Sequence, residues 1–171
     1  NKNLQVNLDE IKKEQDTLVS NAYRKLLSSD LAAVPTEDDS TLTPPIITGL
    51  YTGSEGRYKL RINSESQSNT DDYELLTFEL ERTEPIEILD NEPTTLGTHG
   101  LFVSFPDGVT DYADTGWYIT IPNTKSASYL TNYQAYQEAL RTRDREISDA
   151  SAELKQTDLE STVAEADIRS A

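Results

Sequence analysis

The sequence predicts an α+β protein: an antiparallel two-helix coiled-coil stem with a small antiparallel β-sandwich domain inserted at its tip. Apolar residues repeat at intervals of three and four near both ends of the 171-residue chain. In the middle, a period of two replaces this pattern, and turn residues separate short segments. We divide the chain into a first helix (1–31), a linker (32–45), a β-domain (46–125) and a second, longer helix (126–171).

The first helix is indicated by a heptad-like seam flanked by charged residues. Apolar residues recur there at intervals of four and three, and Gln15 is a polar member of the seam. The predicted seam positions are Leu4, Leu8, Ile11, Leu18 and Ala22. Pro35 marks the end of this helical region, because the residue before a proline disfavours α geometry.

The middle of the chain has the period of β-strands. Tyr58, Leu60 and Ile62 alternate with Lys59 and Arg61, as expected for a half-buried strand. About seven short strands are predicted, a number that favours a small sandwich. They lie in the segments IITGLYT, GRYKLRIN, LLTFELE, PIEIL, TTLGT, GLFVSF and WYITIP. The segment GSEG, between the first two, is typical of a hairpin turn. Two further apolar alternations are Leu76, Phe78 and Leu80, and the core-facing set Trp117, Ile119 and Ile121.

The second helix is predicted from Ser126, a plausible N-cap, and contains no Pro or Gly. Its predicted seam includes Tyr133, Tyr136, Leu140, Ile147, Leu154 and Ile168. If Leu31 is placed level with Tyr129 in an antiparallel pair, Leu4 falls level with about Gln156. The seam beyond that point has no partner in the chain. We therefore expect its partner to be residues that precede Asn1, or another subunit.

Composition excludes several classes of function. The chain has 31 acidic and 15 basic residues and a net charge of −16, which disfavours binding to nucleic acid or anionic lipid. It has no cysteine, so disulfides and thiolate metal sites are excluded. No apolar run is long enough to span a bilayer, so we expect any membrane attachment to use segments outside this sequence. The chain also lacks Met, and we expect it to be a piece of a longer protein.

No motif in the chain is typical of a catalytic or cofactor site. His99 is the only histidine and lies in LGTHGLF, which we interpret as a plain turn entering a strand. Asp107, Asp111 and Asp114 share one loop and are a candidate Ca²⁺ site, although their spacing differs from an EF-hand loop. Acidic clusters also arise by chance in a chain with 31 acids. The sequence therefore predicts no enzyme, no cofactor and, apart from this candidate, no metal.

The segments EISDASAEL and STVAEADIRSA have an Ala-rich periodicity that resembles the returning hairpin helix of bacterial membrane-fusion proteins, the periplasmic adaptors of type I secretion and efflux pumps. The segments PPIITGLYTGSEGRYKLRI, GLFVSFPDG and WYITIPN resemble a β-domain that some of these adaptors carry in the hairpin. The resemblance covers the whole chain as an internal fragment. It implies a non-enzymatic protein outside the cytoplasm, membrane-anchored at full length, whose partners are other protein subunits of a transport assembly.

This chain departs from the best-known adaptors, whose hairpin tip is a short helical turn that docks on a channel. Here the tip is replaced by about 90 residues of predicted β-structure, which puts such docking in doubt. An alternative is a surface or phage attachment protein whose β-domain binds a receptor or carbohydrate, with the coiled coil formed between chains. A third hypothesis is a hydrolase that uses the acidic loops, which alanine at Asp107, Asp111 and Asp114 would inactivate.

Overall fold

The computed structural model describes residues 2–38, 40–64 and 72–170, with side chains for 3–38, 40–64 and 72–160. Within these ranges the protein is a mixed α+β fold in which strands of antiparallel sheets join two helices. The elements in chain order are α1 (Lys2–Ser28), β1 (Ala33–Pro35), β2 (Ile46–Gly49), β3 (Gly56–Ser64), β4 (Tyr73–Glu79), β5 (Thr83–Ile88), β6 (Thr94–Leu96), β7 (Leu101–Ser104), a short 3-10 helix (Val109–Tyr112), β8 (Gly116–Ile121) and α2 (Tyr129–Ser170).

The strands form a sheet of five in the order β1-β8-β3-β4-β5 and a sheet of three in the order β2-β7-β6. Each neighbouring pair is antiparallel. Strand β3 is the central strand of the larger sheet, with β4 on one side and β8 on the other. Each of the seven segments predicted to be strands overlaps an observed strand.

Two local predictions are wrong. The segment GSEG does not close a hairpin, because β2 pairs with β7 while β3 pairs with β4 and β8. Tyr51, in the connection, is fully buried and its hydroxyl donates to the carbonyl of Ser54 at 2.6 Å, so the chain turns inward and crosses to the other sheet. The predicted linker also contains a strand: Ala33 of β1 is buried and pairs with Ile119. Pro35 suits this position, because β1 is an edge strand.

Two predicted inward faces are confirmed. The buried residues of β3 are Tyr58, Leu60 and Ile62, and those of β8 are Trp117, Ile119 and Ile121. All six have at most 2% of their surface exposed. Because successive side chains of a strand point to opposite faces, this burial directs the intervening residues of β3 and β8 outward.

The chain forms two compact units. The β-unit is Arg24–Leu130, and the helical unit contains α1 up to Tyr23 and α2 from Thr131.

Aromatic side chains link the two sheets of the β-unit. The ring of Phe105, next to β7, lies 5.1 Å from that of Tyr112, which lies 6.1 Å from the ring of Trp117 on β8. Aromatic rings prefer tilted or edge contacts of this kind. Because each ring buries a large apolar area, these residues contribute much of the burial in a small core.

Asp30 joins the two places where the chain enters and leaves the β-unit. Its backbone carbonyl accepts a hydrogen bond from the side-chain amide of Asn123 at 2.6 Å. Its carboxylate accepts hydrogen bonds from the hydroxyls of Ser126 and Ser128, both at 2.6 Å. These two bonds lower the pKa of Asp30 below its usual value. We call this group the Asp30 clasp. Helix α2 begins at Tyr129, so Ser126 belongs to the clasp and not to the helix start.

In the helical unit, α1 and α2 touch in antiparallel order. The ring of Tyr23 lies 4.9 Å from that of Tyr136, and the carboxylate of Asp16 lies 3.7 Å from the guanidinium of Arg143. The contact nearer the start of α1 thus involves the residue farther along α2, as in an antiparallel pair. This register lies within about one residue of the predicted alignment of Leu4 with Gln156.

Among the predicted seam residues with described side chains, Leu18 and Tyr133 are exposed. Leu18 is 48% exposed and Val19 is buried in its place, while Tyr133 is 41% exposed and Asn132 is buried. A straight helix has 3.6 residues per turn, whereas alternating steps of three and four average 3.5. Positions chosen with such steps therefore move gradually away from the buried face, and an occasional extra step of four brings them back to it. Leu8 is buried. The half-buried seam residues are Leu4, Ile11, Ala22, Tyr136, Leu140, Ile147 and Leu154. The side chain of Ile168 lies outside the described residues.

Truncation of the central strand tests the core. Leu60 is fully buried, so Leu60→Ala should lower the free energy of unfolding by about 2–5 kcal/mol through lost burial and the cavity left behind. Urea denaturation measures this change. Leu130→Ala removes the same atoms from a side chain that is 62% exposed and serves as the control. An equal loss in both variants would contradict the position of Leu60 in the core.

Candidate functional site

The outer surface of the five-stranded sheet carries three basic residues in a row. Arg57, Lys59 and Arg61 alternate along β3 with its buried residues, and they therefore share the outward face. Consecutive members are two residues apart, which corresponds to about 6.5–7 Å along a strand. Because β3 is central in its sheet, the neighbouring strands flank the row on both sides.

Arg57 is held by an aromatic ring and by a carboxylate of its own chain. Its guanidinium carbon lies 3.9 Å from the centre of the Tyr118 ring, a cation–π contact. Its Nε and Nη2 atoms donate to the two carboxylate oxygens of Glu79 at 2.8 and 3.0 Å. This bidentate hydrogen bonding raises the pKa of Arg57 and lowers that of Glu79. Glu79 adopts φ of 73°, an uncommon value for a residue other than glycine.

Lys59 and Arg61 have no such carboxylate partner. Within the part of the chain that the structure describes, no carboxylate oxygen comes within 4.0 Å of either cationic group. The ammonium of Lys59 lies 5.9 Å from the centre of the Tyr118 ring, and Arg61 Nε donates to the side chain of Asn63 at 3.1 Å. Arg61 is thus positioned by a neutral neighbour, whereas the charge of Lys59 also acts on Glu79 and lowers the pKa of that carboxylate further.

Apolar side chains border the row. Leu76 and Phe78 of β4 stand opposite Arg61 and Lys59, and both are half-buried on the outward face. The alternation of Leu76, Phe78 and Leu80 does not mark the core face of β4, since Leu75 and Thr77 are the buried residues. Across β8, Val34 of β1 pairs with Tyr118 and is 50% exposed. We define the basic face as Arg57, Lys59, Arg61, Tyr118, Leu76 and Phe78.

The basic face contrasts with the charge of the unit that carries it. The β-unit contains 18 acidic and seven basic residues, yet three of those seven lie in this row. At one end of the same face, Glu74 of β4 stands opposite Asn63 and pairs on its other side with Glu87 of β5. A local basic cluster on an acidic unit provides electrostatic contrast, which favours recognition of a partner with complementary charge.

The candidate Ca²⁺ site is not assembled. Asp107 and Asp114 are exposed residues with φ of 66° and 60°, and Asp111 lies exposed in the 3-10 helix. Among the residues with described positions, no three His, Cys, Asp or Glu side chains converge in a way that could hold a metal ion. Two hydrogen bonds hold the loop. The backbone N–H of Val109 donates to the carboxylate of Asp90 at 2.7 Å, and the hydroxyl of Tyr112 donates to the backbone carbonyl of Thr43 at 2.6 Å.

His99 lies in a turn between β6 and β7, as predicted, and its imidazole faces Glu81. Its Nε2 atom lies 3.4 Å from Glu81 Oε1. The Glu81 carboxylate also accepts hydrogen bonds from the Tyr58 hydroxyl at 2.5 Å, from the Thr98 backbone N–H at 2.9 Å and from the Thr98 hydroxyl. Gly97 makes room for this cluster, since a Cβ there would lie 2.0 Å from Glu81 Oε2.

The environment of Glu81 acts on its pKa in two directions. Burial raises the pKa, but the hydrogen bonds from Thr98 and Tyr58, together with His99, outweigh burial and lower it below its usual value of 4.5. Burial, and secondly the bond to Glu81, raises the pKa of Tyr58 far above its ordinary value of 10. With donors on both oxygens, Glu81 joins the chain after β4 to the turn after β6.

Comparison of the chain with protein-family models, curated proteins and solved structures found no match. In the described part of the chain, no helix has the length and apolar character needed to cross a membrane. Cavities of about 50, 100 and 260 Å³ border the β-unit. Each of these three cavities is smaller than the roughly 300–1,000 Å³ of a typical small-molecule pocket. The basic face is the candidate surface for a ligand contact.

Replacement of Glu81 tests the cluster. Glu81→Gln should destabilise the protein near pH 7 by about 1–3 kcal/mol, because the buried hydroxyl of Tyr58 and the two donors of Thr98 lose a charged acceptor. A group with a lowered folded pKa stabilises above its unfolded pKa and loses this contribution as pH falls through the folded value. The difference between wild type and variant should therefore shrink as the pH falls below the usual pKa of 4.5 and through the lowered pKa of folded Glu81. Denaturant titrations at each pH measure it.

The matched control is Glu84→Gln, which makes the same charge change at an exposed position of β5. It should change stability by less than about 0.5 kcal/mol. A pH-independent difference for Glu81→Gln would contradict the described carboxylate interactions.

Proposed function

We propose that this chain is a non-enzymatic module of an extracytoplasmic transport assembly, in which a coiled-coil stem presents the β-unit to another protein subunit. The observation that carries the proposal is the basic face, an exposed row of cations on aromatic and apolar neighbours in an otherwise acidic unit. Arginine and aromatic residues are enriched where proteins bind proteins. The protein takes part in assembly and performs no chemistry of its own.

The helical contacts support the stem. Tyr23 against Tyr136 and Asp16 beside Arg143 lie one heptad apart on both helices, which is the spacing of an antiparallel coiled coil. The arrangement is that expected for a membrane-fusion protein of a secretion or efflux system, anchored in a membrane by segments outside this sequence. In place of a helical tip, the β-unit makes the contact with the next subunit.

A second function is favoured by a different surface. Phe102 of β7 is 40% exposed on the outer face of the three-stranded sheet, and Thr48 and Thr95 stand beside it in register. An exposed aromatic ring between hydroxyl groups can stack on a sugar and hydrogen-bond to it. In this alternative, the chain is a surface or phage attachment protein that binds a receptor carbohydrate through this patch.

Cross-linking tests the stem. The chain has no cysteine, so Asp16→Cys combined with Arg143→Cys supplies its only two thiols. A short bis-maleimide should join them within one chain at any protein concentration. Asp16→Cys with Gln156→Cys is the control, because the second site is displaced by roughly 20 Å along α2. Covalent dimers that increase with concentration would show pairing between chains and would favour the attachment protein.

Photo-cross-linking in the cells that produce the protein tests its function. A photoreactive phenylalanine analogue at Tyr118, on the basic face, should yield one adduct that mass spectrometry identifies as a subunit of an envelope transport assembly. The same analogue at Phe102, exposed on the other sheet, is the matched control. Absence of an adduct at Tyr118, together with glycan-array binding that Phe102→Ala abolishes, would replace the proposal by the carbohydrate-binding alternative.

A further inference from the structure

We infer that the basic face binds an acidic protein segment in extended conformation, with carboxylates at alternate residues. This inference rests on the proposed function, since it specifies the chemistry of the partner subunit. It is carried by three observations: a carboxylate already bound at one end of the row, two further cations with no described carboxylate oxygen within 4.0 Å, and apolar or aromatic side chains on both sides.

The contact between Glu79 and Arg57 shows that the row can bind a carboxylate. The Glu79 carboxylate occupies the guanidinium fork of Arg57 with two hydrogen bonds of 2.8 and 3.0 Å. The guanidinium carbon of Arg57 also lies 3.9 Å from the centre of the Tyr118 ring, so the side chain has a second contact that restricts its position. The chain thus supplies its own carboxylate to the first cation, and a partner meets the next two.

The spacing of Lys59 and Arg61 selects an extended segment. They are two residues apart on one strand, so their attachment points are about 6.5–7 Å apart. Carboxylates at alternate residues of an extended partner have the same repeat, whereas acids on a helix face repeat at about 5–6 Å. The residues between those carboxylates project away from the face, and the carboxylate stems pack beside Leu76 and Phe78.

The charge of the β-unit distinguishes a short acidic segment from a long polyanion. Its 18 acidic residues against seven basic ones repel an extended anionic surface such as nucleic acid or a lipid membrane. A short segment reaches only the local cations, and charges farther away than about 10 Å are screened at 0.1 M salt. The basic face therefore favours a protein segment over the two polyanionic classes.

Fluorescence anisotropy with a labelled synthetic peptide tests the inference on the whole chain. The probe alternates Glu with Thr over eight residues, and a matched probe replaces each Glu by Gln. The Glu peptide should bind, the Gln peptide should bind about tenfold more weakly, and affinity for the Glu peptide should fall between about 50 and 300 mM NaCl. Equal binding of both peptides would overturn the inference.

Two variants locate the binding. Lys59→Gln with Arg61→Gln should weaken binding of the Glu peptide about tenfold, through the loss of two ion pairs. Arg24→Gln with Lys25→Gln removes two exposed charges elsewhere in the β-unit and should leave affinity within about twofold. Circular dichroism and melting temperature confirm that both variants fold. An equal loss in the two variants would show binding to net charge and would overturn the inference.

The experiments distinguish failure of this inference from failure of the proposed function. If neither peptide binds but the Tyr118 photo-adduct with a transport subunit forms, the partner chemistry is wrong and the adaptor function stands. If single-stranded DNA or anionic vesicles bind more tightly than the Glu peptide, the basic face is a polyanion site and the inference is wrong. If the peptide binds while no adduct forms in cells, the acidic-segment specificity stands and the transport assembly is wrong.

Discussion

The alternation of side chains along β3 is the constraint on which both the core and the basic face depend. Tyr58, Leu60 and Ile62 are fully buried, and this burial fixes Arg57, Lys59 and Arg61 on the opposite surface. A shift of register by one residue would place three cations in the core, at a cost far above the stability of a small domain. The hydrophobic effect inside the sheet therefore orients the charged row outside it.

Electrostatics adds selectivity at two length scales. The net charge of −16 repels anions at long range, while the cations on β3 attract carboxylates only at contact. Tyr118 contacts two cations of the row, since the side chains of Arg57 and Lys59 both approach its ring. This combination favours brief, salt-sensitive contacts with a partner whose acidic residues are few and correctly spaced, and it disfavours adhesion to any polyanion.

The sequence is sufficient for those features that depend on local periodicity. The seven predicted strand segments and the inward faces of β3 and β8 follow from alternation alone. The face of β4 does not, because Leu75 to Phe78 are apolar or neutral at every position and a register irregularity between Leu75 and Thr77 decides which side is buried. The basic face also escaped prediction, since Tyr118 and Phe78 are distant from Lys59 in the chain and meet it only through strand pairing.

The Asp30 clasp brings the two ends of the β-unit close together. It holds residues 30, 123, 126 and 128 together through one side chain and one backbone carbonyl, so the β-unit begins and finishes at nearly the same point. A unit with adjacent ends can replace a tight turn in an unrelated host without stretching the host backbone. The β-unit is thus suited to grafting as a cassette, by recombination in nature or by cloning in the laboratory.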